Sequence, residues 1–166
     1  MANNIFLGLG SNKGDRERFI REAVKKLKNF PGIEVLKCSS LYETTPYGNE
    51  EQDNFLNLVI RINSEHEPEY LLEIIKNIEE EMGRQTTERW GPREIDIDIL
   101  FYDNVIVNKE NLTIPHEDLT KRGFVLYPLN EIAPELIHPV YDKRISELLS
   151  TDLEKTIIGI INFTTD

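Results

Sequence analysis

The order in which strand and helix periodicities follow one another is the feature that most restricts the fold of this chain. Strands with an alternating or continuous apolar pattern and helices with a 3.6-residue apolar period occur in the order strand, helix, strand, strand, helix, strand. The predicted strands cover residues 4–10, 33–42, 55–63 and 95–102, and the predicted helices cover residues 15–29 and 68–82. This order is typical of the split βαβ, ferredoxin-like fold. We therefore predict an α+β βαββαβ sandwich with a mainly antiparallel sheet, whose helices cover one face and leave the other face for a site.

The rest of the chain has a weaker pattern. Residues 103–154 predict short strands, loops and one or two short helices. Because a chain of 166 residues suits a single core, we assign residues 1–155 to one domain. The tail, residues 156–166, is apolar and β-branched at its start, which predicts a final strand.

The net charge of −11 limits the partners of this chain. Nucleic acids are bound by basic surfaces, so we expect no nucleic-acid partner. A polyphosphate substrate would meet a repulsive field and would need local cations or a metal ion.

The single Cys38 fits a reducing compartment. With neither a secretion signal nor a membrane-spanning run at the sequence level, we expect a cytoplasmic, monomeric protein that contacts no membrane.

Two aspartates alternate with isoleucines just before the end of the sheet pattern. Side chains alternate between faces along a strand, so Asp96 and Asp98 share one face, with Cα atoms about 6.6 Å apart. Cations relieve the repulsion between two such carboxylates, and Mg²⁺ prefers oxygen ligands that it shares with phosphates. The pattern predicts a site for two Mg²⁺ ions about 3.5–4 Å apart. The alternative is a strand whose acidic residues simply face solvent.

Three arginines lie shortly before this aspartate pair, at Arg84, Arg89 and Arg93. Guanidinium groups bind phosphate oxygens in a bidentate manner and stay charged at any working pH. Phosphoryl transfer depends mainly on positioning and on neutralising charge, which arginines and Mg²⁺ supply. The loop therefore predicts a segment that closes over a phosphorylated substrate. The alternative is a set of surface salt bridges of little energetic value.

Several separate segments resemble, in order, the motifs of the 6-hydroxymethyl-7,8-dihydropterin pyrophosphokinase family. They are 7–12 (LGLGSN), 42–48 (YETTPYG), 55–57 (FLN), 89–100 (RWGPREIDIDIL), 112–116 (LTIPH), 122–124 (RGF) and 128–134 (PLNEIAP). The resemblance implies an enzyme of folate biosynthesis that uses ATP as co-substrate. It would transfer the diphosphoryl group of ATP to the hydroxymethyl group of a reduced pterin and release AMP.

The resemblance also implies roles for single residues. Asp96 and Asp98 would bind two Mg²⁺ ions that bridge the ATP phosphates, and Arg84 and Arg93 would act on the phosphates near the transition state. The residues expected to hold ATP are Glu79, Arg84, Arg93, Ile99, Thr113, His116 and Arg122. The residues expected around the pterin are Thr44, Tyr47, Phe55, Asn57, Trp90 and Phe124.

Elementary geometry agrees with part of this assignment. Phe55 and Asn57 lie two residues apart on a strand and share a face. A flat pterin suits a slot between Phe55 and Phe124, because offset stacking of aromatic systems is favourable. Asn57 offers both donors and an acceptor to a heterocycle edge. Core packing is the alternative for either phenylalanine, and a structural hydrogen bond is the alternative for His116, which we interpret as a phosphate contact.

Four positions depart from the family pattern, at Thr45, Lys76, Thr86 and Asn111. They bear on nucleotide affinity and loop closure more than on the reaction.

Residues 159–166 also resemble the first strand of dihydropteroate synthase, the next enzyme of the pathway, so the tail could begin a fused synthase domain.

Three other functions stay open. A nucleotidyltransferase could use the same aspartate pair, attack the α-phosphorus and release pyrophosphate. A ferredoxin-like module could bind nucleotide without turning it over. A third reading is a pathway domain whose activity has lapsed, with Thr86 and Asn111 as its evidence.

Overall fold

The computed structural model describes residues 2–46, 51–84 and 94–164 of the chain. Six strands form the main sheet: β1 (Ala2–Ser11), β2 (Ile33–Cys38), β3 (Leu41–Thr44), β4 (Phe55–Ser64), β5 (Asp96–Tyr102) and β10 (Ile157–Ile161). They are antiparallel in the order β10-β3-β4-β1-β5, and β2 also pairs with β4. This is the ferredoxin-like arrangement that the sequence predicts.

Helices α1 (Arg16–Asn29) and α2 (Pro68–Glu81) cover the first face of the sheet. Asp15 caps α1 by accepting a hydrogen bond from the N–H of Arg18. Pro68 stands at the start of α2, where a missing N–H costs nothing, and Gly83 follows the end of α2 with φ at +84°. The apolar stripes of both helices bury the first core against the odd-numbered residues of β1, the even-numbered residues of β4, and Ile97 and Ile99 of β5.

The second face of the sheet is also covered over part of its length, so the face that the sequence predicts to be free for a site is free only in part. Helix α3 (Gly123–Ile132) crosses this face and buries a second core on Phe6, Val59, Leu100 and Phe101. The 3₁₀ turn Leu119–Lys121 and helices α4 (Ile145–Leu148) and α5 (Thr151–Glu154) complete this layer. Large apolar side chains on the second face need cover from water, and residues 119–154 supply it.

Two short hairpins connect these elements. One pairs β6 (Val107–Lys109) with β7 (Leu112–Ile114), and the other pairs β8 (Ile137–His138) with β9 (Lys143–Arg144). Across the described residues, none of the helices is long and apolar enough to span a bilayer.

The strand predicted for residues 33–42 is divided into β2 and β3 by Ser39 and Ser40. The N–H of Ser39 donates to the carbonyl of Val59, while the Ser39 hydroxyl accepts from the N–H of Val59. A side-chain oxygen therefore replaces the backbone carbonyl in the ladder, which interrupts the strand.

The tail joins the sheet of this domain. Ile157 pairs with Thr44 and Ile161 pairs with Leu41, which makes β10 an edge strand. The predicted final strand is thus confirmed, and the resemblance to a synthase stays a prediction. Beyond β10, the Arg21 guanidinium lies 4.7 Å from the Phe163 ring centre and donates to the Thr164 carbonyl.

Close packing at the start of α3 gives a test of this arrangement. A Cβ atom at Gly123 would lie 2.5 Å from the carbonyl oxygen of Leu153 and 2.7 Å from Oγ1 of Thr156. We expect Gly123→Ala to lower the free energy of unfolding by about 1–3 kcal/mol, measured by urea denaturation. In the control Gly159→Ala, the new Cβ would meet Cβ of Glu43 at 3.9 Å. That variant should change stability by less than about 0.5 kcal/mol, and equal losses in both would contradict the packing argument.

Candidate active site

Asp96 and Asp98 lie on the second face of β5, as the strand period predicts. The alternating Ile95, Ile97 and Ile99 are buried in the first core, whereas the side chains of Asp96 and Asp98 are 25% and 34% exposed. The next residue on the second face, Leu100, belongs to the core beneath α3. The aspartate pair therefore occupies the part of the second face that α3 leaves uncovered.

Two glycines of β1 form a floor beside the aspartate pair. Gly10 pairs with Asp96 and Gly8 pairs with Asp98 on one side, and Gly10 also pairs with Asn57 on the other side. A Cβ atom at Gly10 would lie 2.8 Å from Oδ1 of Asn57. The sequence analysis missed this glycine floor (Gly8 and Gly10). The two-residue spacing of the glycines in Leu-Gly-Leu-Gly could have revealed it, because it matches the strand period.

Glu79 of α2 fixes the outer edge of β5. Its side chain is 2% exposed, and one oxygen accepts a hydrogen bond from the Ile97 N–H at 2.8 Å. The other oxygen accepts from Arg84 at 3.0 Å and from Lys76 at 3.1 Å. Burial raises the pKa of Glu79, and the charges of Lys76 and Arg84 oppose that rise. Since Arg84 also lies 3.6 Å from Asp96, Glu79 holds a cation next to the aspartate pair.

A cavity of about 220 Å³ lies at the edge of β5 beside Asp98. Its lining comprises Leu72, Lys76, Ile97, Asp98, Ile99, Glu110, Asn111, Leu112, Thr113, His116 and Glu117. Three residues expected to hold ATP are in this lining, namely Ile99, Thr113 and His116. Glu79, Arg84 and Arg122 lie outside it.

His116 lies beside Asp98 in the cavity lining. Its Nε2 is 4.0 Å from Oδ2 of Asp98, and its Nδ1 accepts a hydrogen bond from the N–H of Asp118 at 3.3 Å. The backbone N–H of His116 donates to the carbonyl of Leu100, which fastens this segment to β5. Burial lowers the pKa of His116, and the charge of Arg122 lowers it further. With Nδ1 accepting, the neutral imidazole carries its proton on Nε2 and can donate toward the aspartate side of the cavity.

Three of the residues expected around the pterin, Thr44, Phe55 and Asn57, lie on the same, second face of the sheet. Thr44 pairs with Phe55 across β3 and β4, and Nδ2 of Asn57 donates to Oγ1 of Thr44 at 2.7 Å. Thr44 and Asn57 are buried and Phe55 is half-buried. Phe124, in the first turn of α3, packs against the second core, and the Arg122 guanidinium lies 5.4 Å from its ring centre. Tyr47, Arg89, Trp90 and Arg93 lie outside the described residues.

The carboxylates of the aspartate pair suit a hard divalent cation. Among the residues that the structure describes, no group of three or more His, Cys, Asp or Glu side chains is arranged to hold a metal ion. Two carboxylates therefore need further oxygen ligands from a substrate, which is how Mg²⁺ binds at phosphate sites. Burial and the neighbouring Asp96 raise the pKa of Asp98 to about 7, against the opposing charges of Arg122 and Lys76. This excess of negative charge fits Mg²⁺ as the cation that offsets it.

Known proteins resemble this chain in sequence and in fold. The family model described as 7,8-dihydro-6-hydroxymethylpterin-pyrophosphokinase (HPPK) matches residues 6–134. A 2-amino-4-hydroxy-6-hydroxymethyldihydropteridine pyrophosphokinase from Aquifex aeolicus is 47% identical over 143 residues, which cover 86% of this chain and 88% of the relative. The enzyme of the same name from Bacillus subtilis is 43% identical over 136 residues, covering 82% and 81%.

A solved structure of Plasmodium falciparum HPPK-DHPS with pteroate superimposes with a TM-score of 0.72 at 20% identity. The match covers 93% of this chain and 42% of the solved chain, so the present sequence spans less than half of that bifunctional protein. This likeness supports the ferredoxin-like fold.

The raised pKa of Asp98 predicts how metal-free stability depends on pH. The folded protein binds this proton more tightly than the unfolded chain, whose carboxyl pKa is about 3.9, so stability falls as pH rises from about 4 to about 7. We expect Asp98→Asn to raise the Tm above wild type at pH 8, with the difference shrinking towards pH 4. Asp152→Asn, at a side chain 93% exposed, should show no such trend. A Tm difference for Asp98→Asn that stays constant with pH would contradict the raised pKa.

Proposed function

Because the chain belongs to the 7,8-dihydro-6-hydroxymethylpterin-pyrophosphokinase family, we propose that it performs this reaction of folate biosynthesis at the aspartate pair. The reaction transfers the diphosphoryl group of ATP to the hydroxymethyl group of 6-hydroxymethyl-7,8-dihydropterin. The observation that carries the proposal is one row of residues on the second face, in which Asp96, Gly10 and Asn57 are directly paired on adjacent strands. Metal-binding and heterocycle-binding groups are therefore two strand spacings apart, about 10 Å.

In the proposed mechanism the pterin hydroxyl oxygen attacks the β-phosphorus of ATP directly. A bond forms between this oxygen and the β-phosphorus, the bond from the β-phosphorus to the α,β-bridging oxygen breaks, AMP leaves with that oxygen, and the hydroxyl proton is released to solvent. Mg²⁺ bound to Asp96 and Asp98 would supply neutralisation of the polyphosphate charge, with two ions as the sequence predicts. Arg84, held by Glu79 next to Asp96, adds a fixed positive charge at the same place.

ATP is proposed to enter the cavity beside Asp98. The Thr113 hydroxyl, the Nε2–H of His116 and the Lys76 ammonium in the lining are donors for ribose and phosphate oxygens. Glu110 and Glu117 in the same lining repel a polyphosphate, so the phosphates should lie toward the aspartate pair and the metal. Arg122 and the loop arginine Arg93 stay predicted phosphate contacts.

The pterin is proposed to lie over the glycine floor, between the sheet and α3. Gly8 and Gly10 place no side chain of their own on this face, and the position of a Cβ at Gly10 is approached to 2.8 Å by Oδ1 of Asn57. Asn57 and Thr44 would bind the polar ring edge, while Phe55 and Phe124 would contact its faces. Tyr47 and Trp90 stay predicted contacts.

The pyrophosphokinase family supports this reaction over nucleotidyl transfer and over binding without turnover. Asn111, one of the positions at which the sequence departs from the family pattern, lines the proposed ATP cavity, so its effect should fall on ATP affinity. Incubation of the protein with ATP, Mg²⁺ and the hydroxymethyl pterin tests the reaction, because AMP is the expected product and free pyrophosphate would indicate nucleotidyl transfer.

The fused dihydropteroate synthase stays a proposal for residues 156–166. Within this chain, β10 pairs with β3 in the main sheet. The coding sequence after Asp166 tests this proposal. The cytoplasmic location and the monomeric state also stay predictions.

The metal assignment has its own test. We expect Asp98→Asn to reduce kcat/KM for AMP formation by at least about a thousandfold, because it removes a negatively charged ligand at the point of charge neutralisation. Circular dichroism should show an unchanged fold. The exposed control Asp152→Asn should keep wild-type rates. Unchanged turnover in Asp98→Asn would refute the role of the aspartate pair.

A further inference from the structure

We propose that Glu131 is a positioning residue that sets the distance between α3 and the sheet, and so the width of the pterin cleft. It acts through the carboxylate clasp, which we define as the Glu131 carboxylate with the Tyr42 hydroxyl and the N–H and hydroxyl of Ser40. The inference rests on the proposed function, in particular on the placement of the pterin between α3 and the sheet.

The clasp is a dense set of hydrogen bonds to one carboxylate. Oε1 of Glu131 accepts from the Tyr42 hydroxyl at 2.7 Å and from the Ser40 N–H at 3.2 Å. Oε2 accepts from the Ser40 N–H at 3.0 Å and from the Ser40 hydroxyl at 3.1 Å. Hydrogen bonds to an ionised acceptor are about twice as strong as neutral ones. The last turn of α3 is therefore tied to the start of β3.

Tyr42 keeps its proton under all working conditions. The residue is 6% exposed, and burial, followed by its hydrogen bond to Glu131, raises the pKa of its hydroxyl well above the ordinary value. The Tyr42 hydroxyl is thus a permanent donor to Glu131.

Both ends of the clasp connect to residues of the proposed pterin cleft. On the helix, Phe124 and Glu131 are seven residues apart, which places them on the same side of α3 about 10 Å from each other. On the sheet, Tyr42 pairs with Asn57 and shares a strand face with Thr44. The helix that carries Phe124 in its first turn is therefore fixed, at its last turn, to the strand that carries Thr44.

A purely structural role for the clasp can be separated from this positioning role because α3 has a second tyrosine hydrogen bond. The Tyr127 hydroxyl donates to the carbonyl of Ser150 at 2.8 Å, which ties the same helix to the segment before α5. This contact is not made to the sheet strands that carry Thr44 and Asn57. Removal of either tyrosine hydroxyl costs α3 one hydrogen bond. Of the two hydroxyls, only that of Tyr42 joins α3 to β3.

The experiment compares Tyr42→Phe with Tyr127→Phe in the AMP-forming assay. We expect Tyr42→Phe to raise KM for the pterin about tenfold, with KM for ATP within about twofold of wild type, because small displacements of a binding wall weaken alignment strongly. Tyr127→Phe, which loses a hydrogen bond to a neutral carbonyl, should lower Tm less and leave KM for the pterin unchanged. Glu131→Ala should reproduce the effect of Tyr42→Phe, and Glu131→Gln, which keeps one acceptor oxygen, should restore part of the affinity.

Each outcome has a defined meaning. An unchanged KM for the pterin in Tyr42→Phe and Glu131→Ala would overturn the positioning role, as would equal KM changes in Tyr127→Phe. If Tyr42→Phe fails to fold, Ser40→Ala removes one hydroxyl of the clasp and should raise the same KM by a smaller factor, while an unchanged KM in Ser40→Ala would count against the clasp. Wild-type protein that forms no AMP would refute the proposed function itself, independently of the clasp.

Discussion

The burial of one face of β5 is the constraint on which the rest of the site depends. Ile95, Ile97 and Ile99 are at most 4% exposed, so the strand cannot slip by one residue without moving three isoleucines out of the core and two carboxylates into it. The hydrophobic effect thus fixes the direction of Asp96 and Asp98, although neither carboxylate contributes to the core. Two hydrogen bonds at the outer edge, from Ile97 to Glu79 and from His116 to Leu100, fix the strand laterally.

This arrangement keeps like charges close together in a chain that is already strongly acidic. Asp96, Asp98 and the buried Glu79 lie near one another, and Arg84, Arg122 and Lys76 offset part of their repulsion. The remaining excess of negative charge lowers the stability of the metal-free protein, and it favours the binding of any ligand that brings positive charge. A Mg²⁺–ATP complex does so despite the net charge of the protein, because the metal reverses the sign of the field where the phosphates lie.

Sequence reasoning worked where one periodicity decided the structure. The shared face of the aspartate pair, helices α1 and α2, and strands β1, β4 and β5 follow from periods of 2 and 3.6 residues that the core enforces. It did not work where a role depends on contacts between distant segments. Glu131 and Tyr42 are 89 residues apart, and their spacing in the sequence carries no signal that they meet. The cover of the second face was missed because α3 has Pro128 in its interior and lacks a clear apolar stripe.

The partial cover of the second face explains why one sheet can be both a core element and a binding surface. Along β1, β4 and β5, the residues beneath α3 are large and apolar, namely Phe6, Val59 and Leu100. Further along the same face, the residues are Gly10, Asn57 and Asp96, which offer no large apolar side chain and present polar groups at Asn57 and Asp96. Helix α3 therefore covers the apolar part of this face and leaves uncovered the part that carries Gly10, Asn57 and Asp96. The proposed pterin cleft at that boundary would have one apolar wall and one polar side, the two properties that a flat heterocycle with a reactive hydroxyl requires.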